Sequence, residues 1–180
     1  MRQLLGISLL LFLLVGCTGL QTNSSAVAGD AKTLAKNDSN NAIYEVQVAD
    51  GVSYQDVLDS LKSISEGMNF VNPANFPIGD HMKLRGVDPQ GVKEVHSFCN
   101  LSMGTEIILD HPQFLVFAPC RVALYDKPDA NNKIHLFIGL ARPTVDLKNI
   151  KDPTPRAQKA AQELEDALIL LVTKASKGDI

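Results

Sequence analysis

The chain has 180 residues, 45% hydrophobic and 21% charged, and once the terminal segments are set aside that supplies one domain with one core. Its 17 basic and 20 acidic side chains leave a net charge of −3, which argues against a nucleic-acid partner met through a broad basic face. Three cysteines, nine prolines and no tryptophan exclude a cysteine-scaffolded mini-protein and a collagen-like chain.

Met1, Arg2 and Gln3 put one positive charge ahead of an apolar run from Leu4 to Val15, broken only by Gly6 and Ser8, as in the n-region and h-region of a secretory signal. As a helix the run covers roughly 18 Å of a hydrocarbon layer about 30 Å thick, so it targets the chain and does not span a bilayer. Leu14-Val15-Gly16-Cys17 resembles the lipobox of bacterial lipoproteins. That resemblance implies a signal peptide over 1–16, lipidation of Cys17 and attachment to the membrane through acyl chains, two or three of which anchor stably where one does not. Thr18 stands where an aspartate signals inner-membrane retention, which favours the outer membrane and a periplasmic orientation. From Thr18 to Ala42 the chain is small and polar with no aromatic residue, a flexible tether (17–42 with the lipidated cysteine) reaching roughly 25–30 Å. Residues 43–180 remain for the folded domain.

Ile43, Val46 and Val48 begin a strand that Asp50-Gly51 stops. Ser53 with Asp56 three residues on reads as a capping box for a helix carrying Tyr54, Val57, Leu58, Leu61, Ile64 and Met68, with Gly67 suited to its end. Prolines and glycines break residues 69–93 into short extended pieces around Phe70-Val71 and His81–Leu84, with a turn at Asp88-Pro89. Glu94 to Phe98 reads as a strand ending at Cys99, and Asn100 as the cap of a short helix over Leu101 to Leu109 that His111-Pro112 terminates.

Val122–Tyr125 and Ile134–Ile138 flank the turn-rich Lys127–Lys133, a hairpin whose loop centres on Ala130 so that paired residues sum to 260. Cys120, Val122, Leu124, Leu136, Ile138 and Leu140 then share the core face, and Arg121, Ala123, Tyr125, His135, Phe137 and Gly139 share the other. Thr154 and Pro155 start the last helix, whose core stripe is Ala157, Ala160, Ala161, Leu164, Ala167, Leu168, Leu171 and Ala175. Around Leu168–Val172 apolar residues run right round it, which calls either for burial on two sides within the fold or for a second subunit, hence a homodimer. The order of elements favours a single α+β domain with helices packed on a largely antiparallel or mixed β-sheet.

Gly51-Val52-Ser53-Tyr54, Phe98-Cys99-Asn100 and Phe117-Ala118-Pro119-Cys120-Arg121-Val122-Ala123-Leu124-Tyr125 together resemble the domain-of-unknown-function family 302, including its lipoprotein members, over roughly residues 43–145. The resemblance implies a compact α+β domain, often dimeric, and brings no agreed activity, cofactor or catalytic residue set.

With Cys17 lipidated, Cys99 and Cys120 form a pair in an oxidising compartment, open to a structural disulfide, to two separate buried thiols, or to redox or metal chemistry. The absence of CxxC weakens a thioredoxin-like reading. A metal or haem site would draw on His81, Met82, His96, Cys99, Met103, His111, Cys120 or His135, none at strong ligand spacing; His96 and Cys99, three apart on a strand, point to opposite faces. The sequence contains no GxSxG, P-loop, HExxH, GxGxxG or CxxCH signature. The expectation is an envelope-tethered module that binds a small ligand or an envelope protein through the mixed hairpin face, with Arg121, Tyr125, His135 and Phe137 as its binding residues. The alternative is a periplasmic redox or metal-handling protein using Cys99 and Cys120.

Overall fold

The computed structural model describes residues 41–180. The signal over 1–16, Cys17 and all of the tether except Asn41 and Ala42 lie outside the described residues. Strand β1 (Ile43–Gln47) leads through Gly51, at φ +86°, into helix α1 (Tyr54–Gly67). The capping box forms: Ser53 Oγ accepts from the Asp56 N–H at 3.1 Å, and an Asp56 carboxylate oxygen accepts from the Ser53 N–H at 2.8 Å. Two residues beyond Gly67, Asn69 rather than a glycine takes the left-handed conformation, at φ 59°. Strand β2 (Val71–Phe76) follows.

His81–Leu84 is helical, not extended. It belongs to α2 (Ile78–Leu84), a two-turn helix entered from Pro77 and stopped by Gly86 at φ +73°. Of the breakers that argued against a long element here, Pro77 and Gly86 flank the helix and Gly79 lies buried inside it. Strand β3 (Lys93–Cys99) is followed by α3 (Leu101–Ile108), capped by the Asn100 side chain on the Met103 N–H at 3.1 Å, and then by a 3-10 turn over Pro112–Phe117. Strands β4 (Cys120–Pro128) and β5 (Ile134–Ala141) form the hairpin. A short helix α4 (Pro143–Lys148), absent from the sequence-based expectation, precedes the long α5 (Pro155–Ala175). As expected, Thr154 caps α5 and Pro155 opens it.

The five strands form one antiparallel sheet in the order β1-β5-β4-β3-β2. Hairpin partners sum to 262, as in Tyr125 with Phe137, because pairing continues to Pro128–Ile134 and the loop is centred on Asn131. The two-residue difference from the expected register is even, so the predicted faces survive intact. Val122, Leu124, Ile138 and Leu140 are fully buried on the covered face, with Phe98 and Tyr44 beside them. Helices α1, α3 and α5 cover this face, while α2 and the 3-10 turn reach round the β2 edge to the other. α5 lies against α1, α3 and α4, so Leu168, Leu171 and Val172 are buried on two sides within the fold, while Leu170 stays exposed.

α5 also buries a charge. Glu165, 1% exposed, accepts from Arg142 Nε at 2.9 Å, Arg142 Nη2 at 2.7 Å, the Thr144 N–H at 3.0 Å and the Thr144 hydroxyl. Arg142 and Thr144 lie where β5 passes into α4, so one carboxylate ties the central helix to the end of the sheet. Replacing Glu165 by Ala removes the acceptor of four donors and is expected to cost about 3–5 kcal/mol in urea unfolding. Glu163→Ala, on the exposed side of the same helix, should stay within about 0.5 kcal/mol, and equal effects would show that the buried carboxylate contributes little.

Candidate functional site

The uncovered sheet face carries the residues that the hairpin pattern singled out. Tyr125 stands opposite Phe137, the rings stacked with centroids 6.4 Å apart. Tyr125 then leans across β5 over Gly139, where a Cβ would come within 2.8 Å of its hydroxyl, and donates to Glu45 on β1. Lys127 donates to the other Glu45 oxygen and sits 4.2 Å above the Phe137 ring. Burial works to raise the Glu45 carboxyl, but the Lys127 and Tyr125 hydrogen bonds outweigh it and leave it below the ordinary value. Burial, then the Glu45 hydrogen bond, pushes the Tyr125 phenol up, so Tyr125 remains a donor.

His135 is fully engaged. Its Nδ1 accepts from Gln47 Nε2 at 3.1 Å, and its Nε2 donates to Asp129 at 3.1 Å, which fixes the Nε2–H tautomer. Tyr125, His135 and Phe137 are therefore together, but their polar atoms already serve one another and β1. Arg121 is not with them: four residues back along β4, it lies roughly 13 Å from Tyr125. Half exposed, it makes one long contact, 3.9 Å to Asp146.

Arg121 instead borders a groove of about 520 Å³ lined by Phe76, Ile78, Val95, Ser97 and Phe117 among others. Among the described residues Arg121 is its only charged lining residue. β2 supplies Phe76, α2 supplies Ile78 and the 3-10 turn supplies Phe117, so the wall depends on the helix that the sequence pattern concealed. Phe76 and Ile78 are 49% and 44% exposed, which leaves apolar surface available to a ligand.

The pair considered for a disulfide is not joined: Cys99 and Cys120 are free thiols. Register explains this, since Cys120 stands opposite Phe98 and shares its face, whereas Cys99 is one residue further along β3 and points to the other. Burial, with Cys99 and Asp146 adding to it, pushes the Cys120 thiol up to about 12, and burial raises Cys99 as well. Neither has the depressed value of a reactive thiolate. Among the described residues no three His, Cys, Asp or Glu side chains gather as a metal site.

A cluster outside the expected binding residues, with His96 of the candidate metal ligands in it, lies on the covered face. Glu94 and His96, two apart on β3, point the same way, and His96 Nε2 donates to Glu94 at 2.9 Å. Tyr54 of α1 donates to the other carboxylate oxygen. Strand alternation made the Glu94–His96 pairing available from sequence; Tyr54, 40 residues away, had no local signal. His111 has a structural role, accepting from the Thr154 N–H at 3.0 Å at the start of α5.

The sequence profile of the family described as "Domain of unknown function DUF302" matches residues 44–171, reaching past the expected limit of 145 into α5. An "Uncharacterized protein" of Aquifex aeolicus (strain VF5) is 28% identical over 85 residues, covering 47% of this chain and 53% of that protein, so the match spans about half the length of this relative. The crystal structure of an uncharacterized conserved DUF302 protein from Bacillus stearothermophilus superposes with a TM-score of 0.63 at 18% identity, covering 74% of this chain and 98% of that one. At that identity the likeness is one of fold.

The thiol geometry has a direct check. Residues 41–180 should give the same intact mass with and without reduction, and Cys120 should take up iodoacetamide near neutral pH only on unfolding. A native mass lighter by the two thiol hydrogens, or rapid native alkylation at Cys120, would contradict the arrangement.

Proposed function

The chain belongs to the DUF302 family, and we propose that it is an envelope-anchored binding module whose open sheet face takes a small amphipathic anion. The ligand's apolar body lies along Phe76, Ile78, Val95 and Phe117, and its anionic head meets Arg121. The observation that carries this reading is the lining of the groove, apolar with one cation at its border, at a volume suited to a small molecule. The long contact to Asp146 is a weak competitor for the guanidinium. Tyr125, His135 and Phe137 act as the rigid floor beside the groove; their hydrogen bonds and stacking leave them few atoms for a ligand. A second copy of the chain or an envelope protein would meet this same face and compete with the small molecule.

The lipobox-like Leu14-Val15-Gly16-Cys17 supports a lipid anchor on Cys17, with the tether holding the domain off the periplasmic side of the outer membrane. Among the described residues no helix is long and apolar enough to cross a membrane, so the anchor in this reading lies before residue 41.

Alkyl carboxylates from hexanoate to dodecanoate, titrated into residues 41–180, should bind with affinity rising about fourfold per added methylene until the groove is filled. Arg121→Ala should weaken dodecanoate about fivefold, since a half-exposed guanidinium contributes about 1 kcal/mol, and should leave dodecanol unchanged. No chain-length dependence, or an equal effect of Arg121→Ala on acid and alcohol, would overturn the assignment. For the anchor, the full chain expressed in a bacterial envelope should incorporate labelled palmitate and lose it in Cys17→Ser; incorporation that survives the substitution removes the lipobox reading.

A further inference from the structure

On the covered side of the sheet, α1 and the β2–β3 edge enclose a second cleft of about 570 Å³, separate from the groove at Arg121. Its floor is apolar, built from Leu58, Leu61, Phe70 and Phe98, and His96 stands in its wall. The His96 side chain is 7% exposed, and its Nε2–H is held by Glu94, whose carboxylate is itself held by Tyr54. That clamp selects the tautomer with a bare Nδ1. Nδ1 has no hydrogen-bond partner among the described residues, yet it is not among the sealed unsatisfied atoms, of which Ser60 Oγ is the only one. It is therefore reachable, and the cleft is the cavity that the ring lines.

Several of the other polar groups at the cleft are also uncommitted. The Asn72 and Asn75 amides and the Lys62 ammonium line it without side-chain hydrogen bonds or ion pairs among the described residues, while Asp59 accepts from Gln55 at 2.9 Å. Each amide offers a donor and an acceptor, and Nδ1 is an acceptor. Lys62 against Asp59 and Glu66 makes the rim net negative, which disfavours an anion. A hydrocarbon would leave the amides and the imidazole unsatisfied. We propose that this cleft is a second binding site, for a neutral hydroxylated molecule of about monosaccharide size, with His96 Nδ1 accepting a hydrogen bond from a ligand hydroxyl and Asn75 bonding a neighbouring one. Hydroxyl groups both donate and accept, so one ligand of this class satisfies the imidazole and the amides together. Glu94 and Tyr54 are positioning residues that keep the imidazole in its accepting form.

The test combines histidine side-chain ¹⁵N NMR with titration of residues 41–180, which hold the whole core described above. The free protein should show His96 protonated on Nε2 alone at neutral pH. D-glucose and myo-inositol, as polyol probes, should move the His96 Nδ1 resonance, while inorganic phosphate and octanoate leave it in place. Asn75→Ala, an exposed substitution that does not endanger folding, should weaken the responding polyol about fivefold, the loss of one neutral hydrogen bond. Glu94→Gln should release the tautomer and reduce the polyol response. A proton on Nδ1 in the free protein, a response to phosphate or octanoate with silent polyols, or no response to any probe overturns the proposal. Octanoate acting at the Arg121 groove while His96 is unmoved keeps the two sites distinguishable.

Discussion

The buried carboxylate of Glu165 is the fastening on which the rest of the structure depends. α5 supplies most of the helical half of the core, from Ala157 to Ala175, and a helix buried on so broad an arc gains area whichever way it is turned. Apolar burial is non-directional and does not by itself select one rotation. Glu165 selects it, because only one placement offers its two oxygens the Arg142 guanidinium, the Thr144 N–H and the Thr144 hydroxyl together. At the N-terminal end of the helix, Thr154 Oγ1 caps Ala157 and donates to Asp110, and hydrogen bonds from Arg156 and then Thr154 hold the Asp110 carboxyl down to about 2. α5 is thus pinned at two points, and α1 and α3 pack against a helix whose position is already set.

With α1, α3 and α5 on one face, and α2 and the 3-10 turn reaching the other only at its β2 edge, the rest of that face must be made compatible with water or with a ligand by its side chains alone. Toward β1 the protein uses a polar and aromatic cover in which Glu45, Tyr125, Lys127, Phe137, Gln47 and His135 satisfy one another. Toward β2 it does not: Phe76 and Ile78 remain about half exposed and, among the described residues, Arg121 keeps only a long ion pair. The contrast between a satisfied half and an unsatisfied half of one sheet face is the strongest functional signal on this surface, and of the four expected binding residues it leaves Arg121 as the one that meets the ligand in the proposed reading.

What the sequence made legible was local. Ser53, Asn100 and Thr154 were readable as caps because a cap bonds a backbone N–H within three residues of itself. The two hairpin faces were readable because side-chain alternation tolerates an even register error. α2 was hidden because two turns of helix between Pro77 and Gly86 present more breakers than periodicity. Glu165 was hidden because a charge beside an apolar stripe reads as solvated, and the donors that make its burial tolerable come from residues 142 and 144, on another element. The Glu94–His96 pair was within reach of alternation alone, whereas its Tyr54 partner and the cleft it borders exist only once α1 packs over β3.

The edge strand connects the two sites. Residues three apart on a regular strand, such as Asn72 and Asn75, face opposite ways. The register slips between Val71, opposite Cys99, and Ala74, opposite Ser97, so one extra residue is absorbed at Asn72-Pro73. That bulge re-phases the strand: Asn72 joins Asn75 at the polar cleft, while Pro73, Ala74 and Phe76 line the apolar groove behind them. Pro73 also removes a donor from the open edge and so discourages strand addition there. Six residues of β2 therefore give each side of the sheet its own chemistry, an arrangement that an unbulged strand could not supply without exchanging one of the two asparagines for an apolar neighbour.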